Sequence, residues 1–211
     1  MQCIVLFGIQ GSGKGTQAKR LSEALGYSHI NMGDLLRDHV ARNTKLGLKV
    51  KSIISAGALV DDDVIFDLLE SILHEHVNGI IFDGFPRTVA QADYLVHHFE
   101  VHEVFFLDLS EEEAVKRISS RRVCPECAAN YNIFTKKPRV EGVCDVCGTE
   151  LEIRADDTPE AIHRRFEQYF EQTHQLIDYF DDLGILYRVN ASRSEQEIFA
   201  DIRDHLSKKG F

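Results

Sequence analysis

A glycine-rich loop near the start of the chain constrains the fold more than any other segment. Residues 8–16 read GIQGSGKGT and directly follow an apolar run at residues 3–7. Glycines at positions 8, 11, 13 and 15 permit positive φ angles, so that successive backbone N–H groups can point inward toward a bound anion. Lys14 is placed to reach the same anion. Apolar residues recur at helical spacing after Thr16, and the N-terminus of that predicted helix also favours negative charge. A strand, this loop and a helix in that order predict a phosphate-binding loop.

The composition limits where the chain acts and what it can bind. Its 211 residues are enough for one full core, and 44% are apolar, but no apolar run approaches the roughly 20 residues of a membrane span. The N-terminus enters a strand at once, which predicts no secretory signal and a cytoplasmic location. The net charge of -10 argues against a broad nucleic-acid or membrane surface. We therefore expect a soluble protein whose anion site is local.

The order of apolar runs and helical patterns predicts an α/β fold. Five short β-rich runs alternate with helical patterns, which indicates a five-stranded parallel sheet with helices on both faces. The runs lie at residues 2–7, 28–30, 79–83, 103–108 and 185–189. Residues 31–60 and 122–155 break the alternation, and we expect them to form two small inserted lobes.

Capping patterns predict where three of the helices begin. Ser110 with Glu113 and Ser194 with Glu197 have the spacing of a capping box. Thr158 precedes a proline that suits the first helical position, and apolar residues at helical spacing then continue as far as position 180.

Four cysteines in the second lobe have the spacing of a structural zinc site. The pairs Cys124-x2-Cys127 and Cys144-x2-Cys147 are separated by 16 residues. Four thiolates saturate tetrahedral Zn²⁺ and leave no position for substrate, so the expected metal is structural. Two disulfides are the alternative, which a cytoplasmic location disfavours.

The other residues of this lobe argue against nucleic-acid binding. Between residues 122 and 154, five Lys or Arg balance five Asp or Glu. A neutral lobe is a poor surface for a phosphate backbone. We expect Phe134, Val140 and Val143 to form the interior of a small self-contained lobe.

Several arginines accompany the phosphate loop. Asp83 ends the third predicted strand and Arg87 lies in the following loop, where parallel sheets bind ligands. Arg117 and Arg121 are four residues apart on one predicted helix, so their charges would repel without a nearby anion. Arg154 and Arg165 flank the pair Asp156-Asp157. Together they favour a polyphosphate ligand.

In this order and spacing, the motifs resemble those of the adenylate kinases with a long, zinc-binding lid. The resemblance rests on the phosphate loop, on residues 33–37, 57–60 and 83–91, on the arginines and on the cysteine quartet. It implies a P-loop nucleoside monophosphate kinase fold with a core at residues 1–30, 61–121 and 156–211. It also implies an AMP-binding lobe at 31–60 and a zinc-knuckle lid at 122–155.

The resemblance implies a reversible reaction in which Mg-ATP and AMP give two ADP. It implies small nucleotides as substrates, with Mg²⁺ accompanying ATP and a structural Zn²⁺. Because no long apolar stripe is left over, we expect a monomer, and the net charge predicts neither nucleic-acid nor membrane partners. The catalytic residues would be Lys14, Arg87, Arg121, Arg154 and Arg165, with Asp83 positioning Mg²⁺. The ATP-binding residues would be Gly11, Ser12, Gly13, Lys14, Gly15, Thr16, Arg117, Arg121, Asn130, Tyr131 and Arg193. The AMP-binding residues would be Met32, Arg37, Ala58, Leu59, Val60, Gly84, Phe85, Pro86, Arg87, Gln91, Arg154 and Arg165. Met32 stands where the family commonly has a threonine, and Gln91 would read the adenine edge.

Three other functions compete with this interpretation. A UMP or CMP kinase usually has a short lid without cysteines. A P-loop GTPase needs an Asn-Lys-x-Asp guanine-binding motif, which the sequence lacks, and Asp145-x-x-Gly148 falls within the cysteine motif. A zinc-ribbon nucleic-acid module is disfavoured by the neutral lobe.

Overall fold

The computed structural model describes residues 2–73, 78–154 and 156–211. Met1, where the predicted core begins, and Ala155, where the predicted lid ends, lie outside the described residues. The described residues up to position 83 form three strands and four helices. They are β1 (Gln2–Phe7), α1 (Lys14–Leu25), β2 (Ser28–Asn31), α2 (Met32–Ala41), α3 (Lys45–Ser55), α4 (Asp62–Leu73) and β3 (Ile80–Asp83). The remaining elements are α5 (Val89–His98), β4 (Glu100–Asp108), α6 (Glu111–Ser119), β5 (Arg121–Val123), β6 (Asn130–Asn132), α7 (Pro159–Gln168), a π-helical turn (Tyr169–Thr173), α8 (Leu176–Asp182), β7 (Leu186–Asn190) and α9 (Glu195–Lys208).

The central sheet has five parallel strands in the order β2-β3-β1-β4-β7. Strand β1 lies in the middle, with Val5 paired to Phe82 on one side and to Val104 on the other. Because successive side chains point to opposite faces, Val5 joins one buried core and its neighbour Leu6 joins a second. Helices cover both cores, which confirms the predicted fold class.

The caps of three helices lie where the sequence predicts them. The side chains of Ser110, Thr158 and Ser194 each accept a hydrogen bond from the backbone N–H three residues later. At Ser194 the capping box is complete, since Glu197 also accepts from the backbone of Ser194. Within the described ranges, no helix is both long and apolar enough to cross a membrane.

The predicted helix that carries both Arg117 and Arg121 is wrong, because α6 ends at Ser119. The hydroxyl of Ser120 donates to the carbonyl oxygen of Lys116 at 2.7 Å, a local bond that competes with helix continuation. Arg121 instead begins β5, which pairs with β6 in an antiparallel ribbon. The two arginines therefore do not share a helix face.

The stretch after Thr158 is also divided. Helix α7 ends at Gln168, and a π-helical turn carries the chain to α8. The backbone N–H of His174 donates to the carbonyl oxygen of Tyr169 at 2.8 Å, five residues back.

The second lobe has a different interior from the one predicted. Phe134 is 73% exposed and Val140 is 62% exposed, and Val143 is half-buried, so the prediction that they form its interior is wrong. Its centre consists of Cys124, Tyr131 and Cys144. Tyr131 and the two thiols fill the small centre of the lobe, so Phe134 and Val140 remain on its surface.

Candidate active site

The phosphate loop lies between the carboxyl end of β1 and the start of α1. Gly8, Gly11 and Gly13 have φ angles of +144°, +86° and +97°, which favour glycine. A Cβ at Gly8 would lie 2.5 Å from the carbonyl oxygen of Leu107, so the loop also needs glycine for close approach. These positions follow the sequence prediction.

Gly15 does not have the predicted positive φ angle, because it lies in the first turn of α1. Glycine suits this position for a different reason. A Cβ at this position would lie 3.1 Å from Oδ2 of Asp83, so a side chain would crowd the carboxylate.

Lys14 lies over the phosphate loop. Its Nζ donates to the carbonyl oxygens of Gly8 at 2.8 Å and Ile9 at 2.9 Å. Burial lowers the pKa of Lys14 to about 7, while the charge of Asp83 opposes this shift and nearby arginines add to it. Ser12 Oγ is buried beside the loop with no hydrogen-bond partner among the described residues. An anion in the loop would therefore satisfy both side chains.

Asp83 lies at the carboxyl end of β3, only 2% exposed. Its Oδ2 accepts a 2.5 Å hydrogen bond from Nδ2 of Asn31 and lies 3.3 Å from Nε2 of His29. A buried carboxylate next to a phosphate loop provides the oxygen ligands that Mg²⁺ prefers, directly or through water. The residues at this position fit the ion that accompanies ATP.

Arginines from distant parts of the chain converge on Asp156 and Asp157. Arg121 forms a bidentate pair with Asp157, with N–O distances of 2.9 and 2.5 Å. Nη1 of Arg165 lies 3.1 Å from Asp157 and 3.4 Å from Asp156. Burial opposes ionisation of Asp156, but Arg165, Arg37 and the other guanidinium groups together lower its pKa.

A further carboxylate joins two of these arginines across the two lobes. Oδ1 of Asp34 lies 2.5 Å from Arg37 of α2 and 3.8 Å from Arg154, which follows the last bridge of the second lobe. Burial, followed by the charges of Arg121 and Arg37, lowers the pKa of Arg154 to about 10. At Arg154, the repulsion from Arg121 and Arg37 exceeds the attraction of Asp34 and Asp156.

Arg87 differs from its neighbours because no carboxylate of the described residues lies within 4.0 Å of its guanidinium. Its Nε donates to the carbonyl oxygen of Gly84 at 2.8 Å. Burial lowers its pKa to about 10, and the charges of Arg165 and Arg37 contribute to the shift. This guanidinium therefore lacks a counter-ion at salt-bridge distance among the described residues.

A pocket lies beside α2 and α3 and contains most of the predicted AMP-binding residues. Its lining is Met32, Gly33, Leu36, Arg37, Ile54, Gly57, Ala58, Leu59, Val60, Ile65, Gly84, Arg87, Gln91, Asp156 and Arg165. Phe85, Pro86 and Arg154 were predicted with this group but do not line the pocket. Apolar and cationic residues together suit a nucleoside monophosphate.

Gln91 lines the pocket with its amide already engaged. Its Oε1 accepts from the backbone N–H of Arg87 at 2.8 Å, and its Nε2 donates to Asp62 at 2.6 Å. A carboxamide has two donor hydrogens and two acceptor lone pairs, so one of each remains for a base.

Four of the predicted ATP-binding residues outside the loop each contact another side chain of the protein. Arg117 pairs with Glu113 at 3.3 Å, and Arg193 pairs with Asp201. Asn130 accepts from Arg154 at 3.3 Å. The hydroxyl of Tyr131 lies 3.4 Å from the sulfur of Cys144, so this side chain faces the interior of the lobe.

The cysteine sulfurs lie together without disulfide bonds. All four Sγ atoms are within 4.8 Å of one another, and three pairs are separated by 3.3 to 3.6 Å. Tetrahedral Zn²⁺ with bonds of about 2.3 Å would hold its sulfurs about 3.8 Å apart. The hydrogen bond from Tyr131, with backbone N–H donors, outweighs burial and lowers the pKa of Cys144 to about 6. The donor set fits zinc.

Sequence reasoning missed several residues that organise the site. The carboxylates of Asp34, Asp156 and Asp157 hold the arginines, and Asn31 holds Asp83. The arginines on both sides of Asp156-Asp157 were a usable signal for that pair. No comparable local signal marks Asn31.

The parallel strand order, the phosphate loop between β1 and α1 and the pocket of arginines are those of a P-loop nucleoside monophosphate kinase. A family model for adenylate kinase matches residues 6–185. The adenylate kinase of Pseudothermotoga lettingae is 41% identical over 97% of this chain and 98% of its own length. That of Treponema denticola is 42% identical over 96% and 98%, and that of Hydrogenobaculum sp. is 41% identical over 96% and 99%. The chain belongs to the adenylate kinase family and is an enzyme of that family.

Proposed function

We propose that the protein transfers the γ-phosphoryl group of Mg-ATP reversibly to AMP, giving two ADP. The observation that carries the proposal is the cationic pocket next to the phosphate loop. Five guanidinium groups and one ammonium outnumber the carboxylates that hold them, and Arg87 has no carboxylate partner within the described ranges. The phosphates of two nucleotides would balance this charge.

The positions of the cations suggest a division between donor and acceptor. We assign the polyphosphate of ATP to the backbone of residues 11–16 and to Lys14. Arg37, Arg87 and Arg165 line the pocket and would bind the phosphate of AMP. Arg121 and Arg154 would neutralise charge between the two nucleotides. An oxygen of the AMP phosphate then attacks the γ-phosphorus while the bond to the β-phosphate oxygen breaks, and no general base is needed.

Asp83 is the residue we assign to Mg²⁺. The ion would neutralise phosphate charge during transfer. Asn31 and His29 keep the Asp83 carboxylate in place.

We assign residues 31–60 to the AMP-binding lobe and residues 122–155 to a lid. The 3.8 Å contact between Asp34 and Arg154 supports this assignment, because it joins the two segments next to the pocket. Lid closure would exclude water, which otherwise competes with AMP for the phosphoryl group.

We propose that the cysteine quartet binds a structural zinc ion. The four thiolates would complete its coordination, so the ion would stabilise the lid and take no part in the transfer. The balanced charge of the lid supports nucleotide handling over nucleic-acid binding. We propose that the protein acts as a monomer.

The test is to mix the protein with Mg-ATP and AMP, UMP or CMP in turn and to measure nucleoside diphosphates by chromatography. We expect two ADP from AMP and slower reaction with the pyrimidine nucleotides. A protein that forms no ADP from AMP would contradict the proposal. A mass measurement by light scattering tests the monomer.

A further inference from the structure

The backbone of Arg87 is anchored from both sides. Its N–H donates to Oε1 of Gln91 at 2.8 Å, and its carbonyl oxygen accepts from Oγ1 of Thr173 at 2.9 Å. The Gln91 bond is local. The Thr173 bond comes from 86 residues further along the chain and is the more informative of the two.

Thr173 is presented by the π-helical turn between α7 and α8. Ile162 and Phe166 of α7 pack in one core, whereas Leu176 and Phe180 of α8 pack in the core on the other face of the sheet. A π turn holds an additional residue and changes the face that the following helix presents. The turn therefore lets one helical segment contribute to both cores.

The hydroxyl of Thr173 points away from its own helix. A threonine inside a helix usually bonds to the carbonyl oxygen three or four residues earlier. Here the buried hydroxyl donates to Arg87 instead. π turns are frequent at functional sites, and this one connects the helical layer to the pocket.

We propose that Thr173 is a positioning residue for Arg87. Arg121 and Arg165 are oriented by the carboxylates they contact, but Arg87 lacks one among the described residues, so its placement depends on its backbone and on Gly84. Loss of the Thr173 bond leaves the Arg87 carbonyl without this donor and lets the loop shift. The inference rests on the proposed contact of Arg87 with the phosphate of AMP.

The test begins with Thr173→Val, which keeps the shape of the side chain and removes its donor. We expect kcat/KM for AMP to fall about tenfold, because a small displacement of a phosphate-binding group weakens transfer. The KM for ATP should change less than about twofold. Thr173→Ser retains the hydroxyl and should restore most of the AMP activity.

A control variant separates positioning from loss of stability. Ser22→Ala removes a comparable bond, from a hydroxyl to the carbonyl oxygen of Tyr27 at 2.6 Å, at a residue that does not line the pocket. It should leave kcat/KM for AMP unchanged. If Thr173→Val does not fold, Thr173→Cys provides a weaker donor of similar volume for the same measurements.

A double-mutant cycle with Arg87→Ala decides whether Thr173 acts through Arg87. In the Arg87→Ala background, Thr173→Val should cause less than about twofold further loss. An equal loss in both backgrounds, or equal effects on AMP and ATP, would overturn the positioning role. If Arg87→Ala itself leaves AMP use intact, the proposed function of Arg87 fails. If Arg87→Ala is impaired and Thr173→Val or Thr173→Cys is not, only the inference about Thr173 fails.

Discussion

The cysteine cluster of the proposed lid and the arginine cluster around Asp156 and Asp157 differ in where their members come from. The cysteines lie within residues 124–147, and their sulfurs are within 4.8 Å of one another. The arginines come from α2, the loop after β3, β5, the end of the lid and α7. One metal ion can complete the first cluster. We infer that anionic ligands complete the second.

The difference separates stability from activity. A metal ion bound by a closed set of four thiolates would supply folding free energy to its own lobe. A set of cations gathered from the whole chain has surplus charge that an anionic substrate relieves, so binding can draw the segments together. Variants in the first cluster should therefore change unfolding, and variants in the second should change turnover.

Replacement of the loop lysine should produce the largest effect. We expect Lys14→Ala to lower kcat by at least about 10³-fold, because the ammonium stabilises charge that develops on the transferred group. The fold should persist, since Lys14 contributes no apolar packing. Stopped-flow or coupled assays measure kcat, and circular dichroism checks the fold. Lys19→Ala, an exposed lysine on the same helix, is the control. Near-normal turnover in Lys14→Ala would remove the phosphate-loop assignment.

A cysteine variant should have the opposite effect, a loss of stability with little loss of turnover. We expect Cys144→Ser to weaken zinc binding and to lower the free energy of unfolding by about 3 kcal/mol, with catalysis at room temperature less affected. Elemental analysis and thermal unfolding measure both effects.

Cys3 provides the matched control for the cysteine cluster. Burial in β1 raises its pKa to about 12, so its thiol is inert. Cys3→Ala should leave the metal content unchanged. A metal-free native protein, or a Cys144→Ser variant that loses catalysis without a change in melting temperature, would contradict the structural role.

A smaller effect should distinguish base recognition from phosphate binding. We expect AMP to exceed UMP in kcat/KM by at least about tenfold, and Gln91→Leu to reduce this ratio, because an unpaired amide in a closed site costs about 1 to 3 kcal/mol. Gln91 also holds the backbone of Arg87, but that contact affects AMP and UMP equally. The ratio of the two nucleotides therefore isolates the reading of the base.

Gln17→Leu is the control for this ratio, since Gln17 is a buried glutamine that does not line the pocket. It should leave the preference for AMP unchanged. An unaltered ratio in Gln91→Leu would mean that another residue reads adenine.

The parallel sheet could be predicted because its strands are buried on both faces and therefore read as continuous apolar runs. The end of α6 could not be predicted in the same way. Arg121 belongs to a strand of three residues whose existence depends on pairing with Asn132 and its neighbours, a contact outside the local pattern. The outward position of Phe134 likewise depends on the folded packing around Cys124, Tyr131 and Cys144, which the local pattern does not show.

The phosphate loop was accessible to sequence reasoning because its geometry is local, with strand, glycines and Lys14 in one segment. The partners of the arginines were not. Arg121 and Asp157 are 36 residues apart and meet only in the folded chain. The same holds for Thr173 and Arg87, and for Asp34 and Arg154. Side chains that complete the site across long separations carry no periodic signal.

The smallest effect should come from a difference between the two halves of the cysteine cluster. Ala128 and Gly148 each follow the second cysteine of a pair, and both have left-handed backbone, with φ angles of +56° and +78°. A left-handed conformation costs an alanine about 1 kcal/mol, and the exposed Ala128 methyl offers little packing in return. Ala128→Gly should therefore stabilise the lid, although the added freedom of the unfolded chain limits the gain to less than about 1 kcal/mol. Gly148→Ala should destabilise it by a similar amount, because the left-handed backbone strains an alanine. No atom lies within 4 Å of the added Cβ, so packing does not offset this strain. The rate of zinc release to a chelator measures both changes. Faster release from Ala128→Gly than from the native protein would show that the two pairs do not share one geometry.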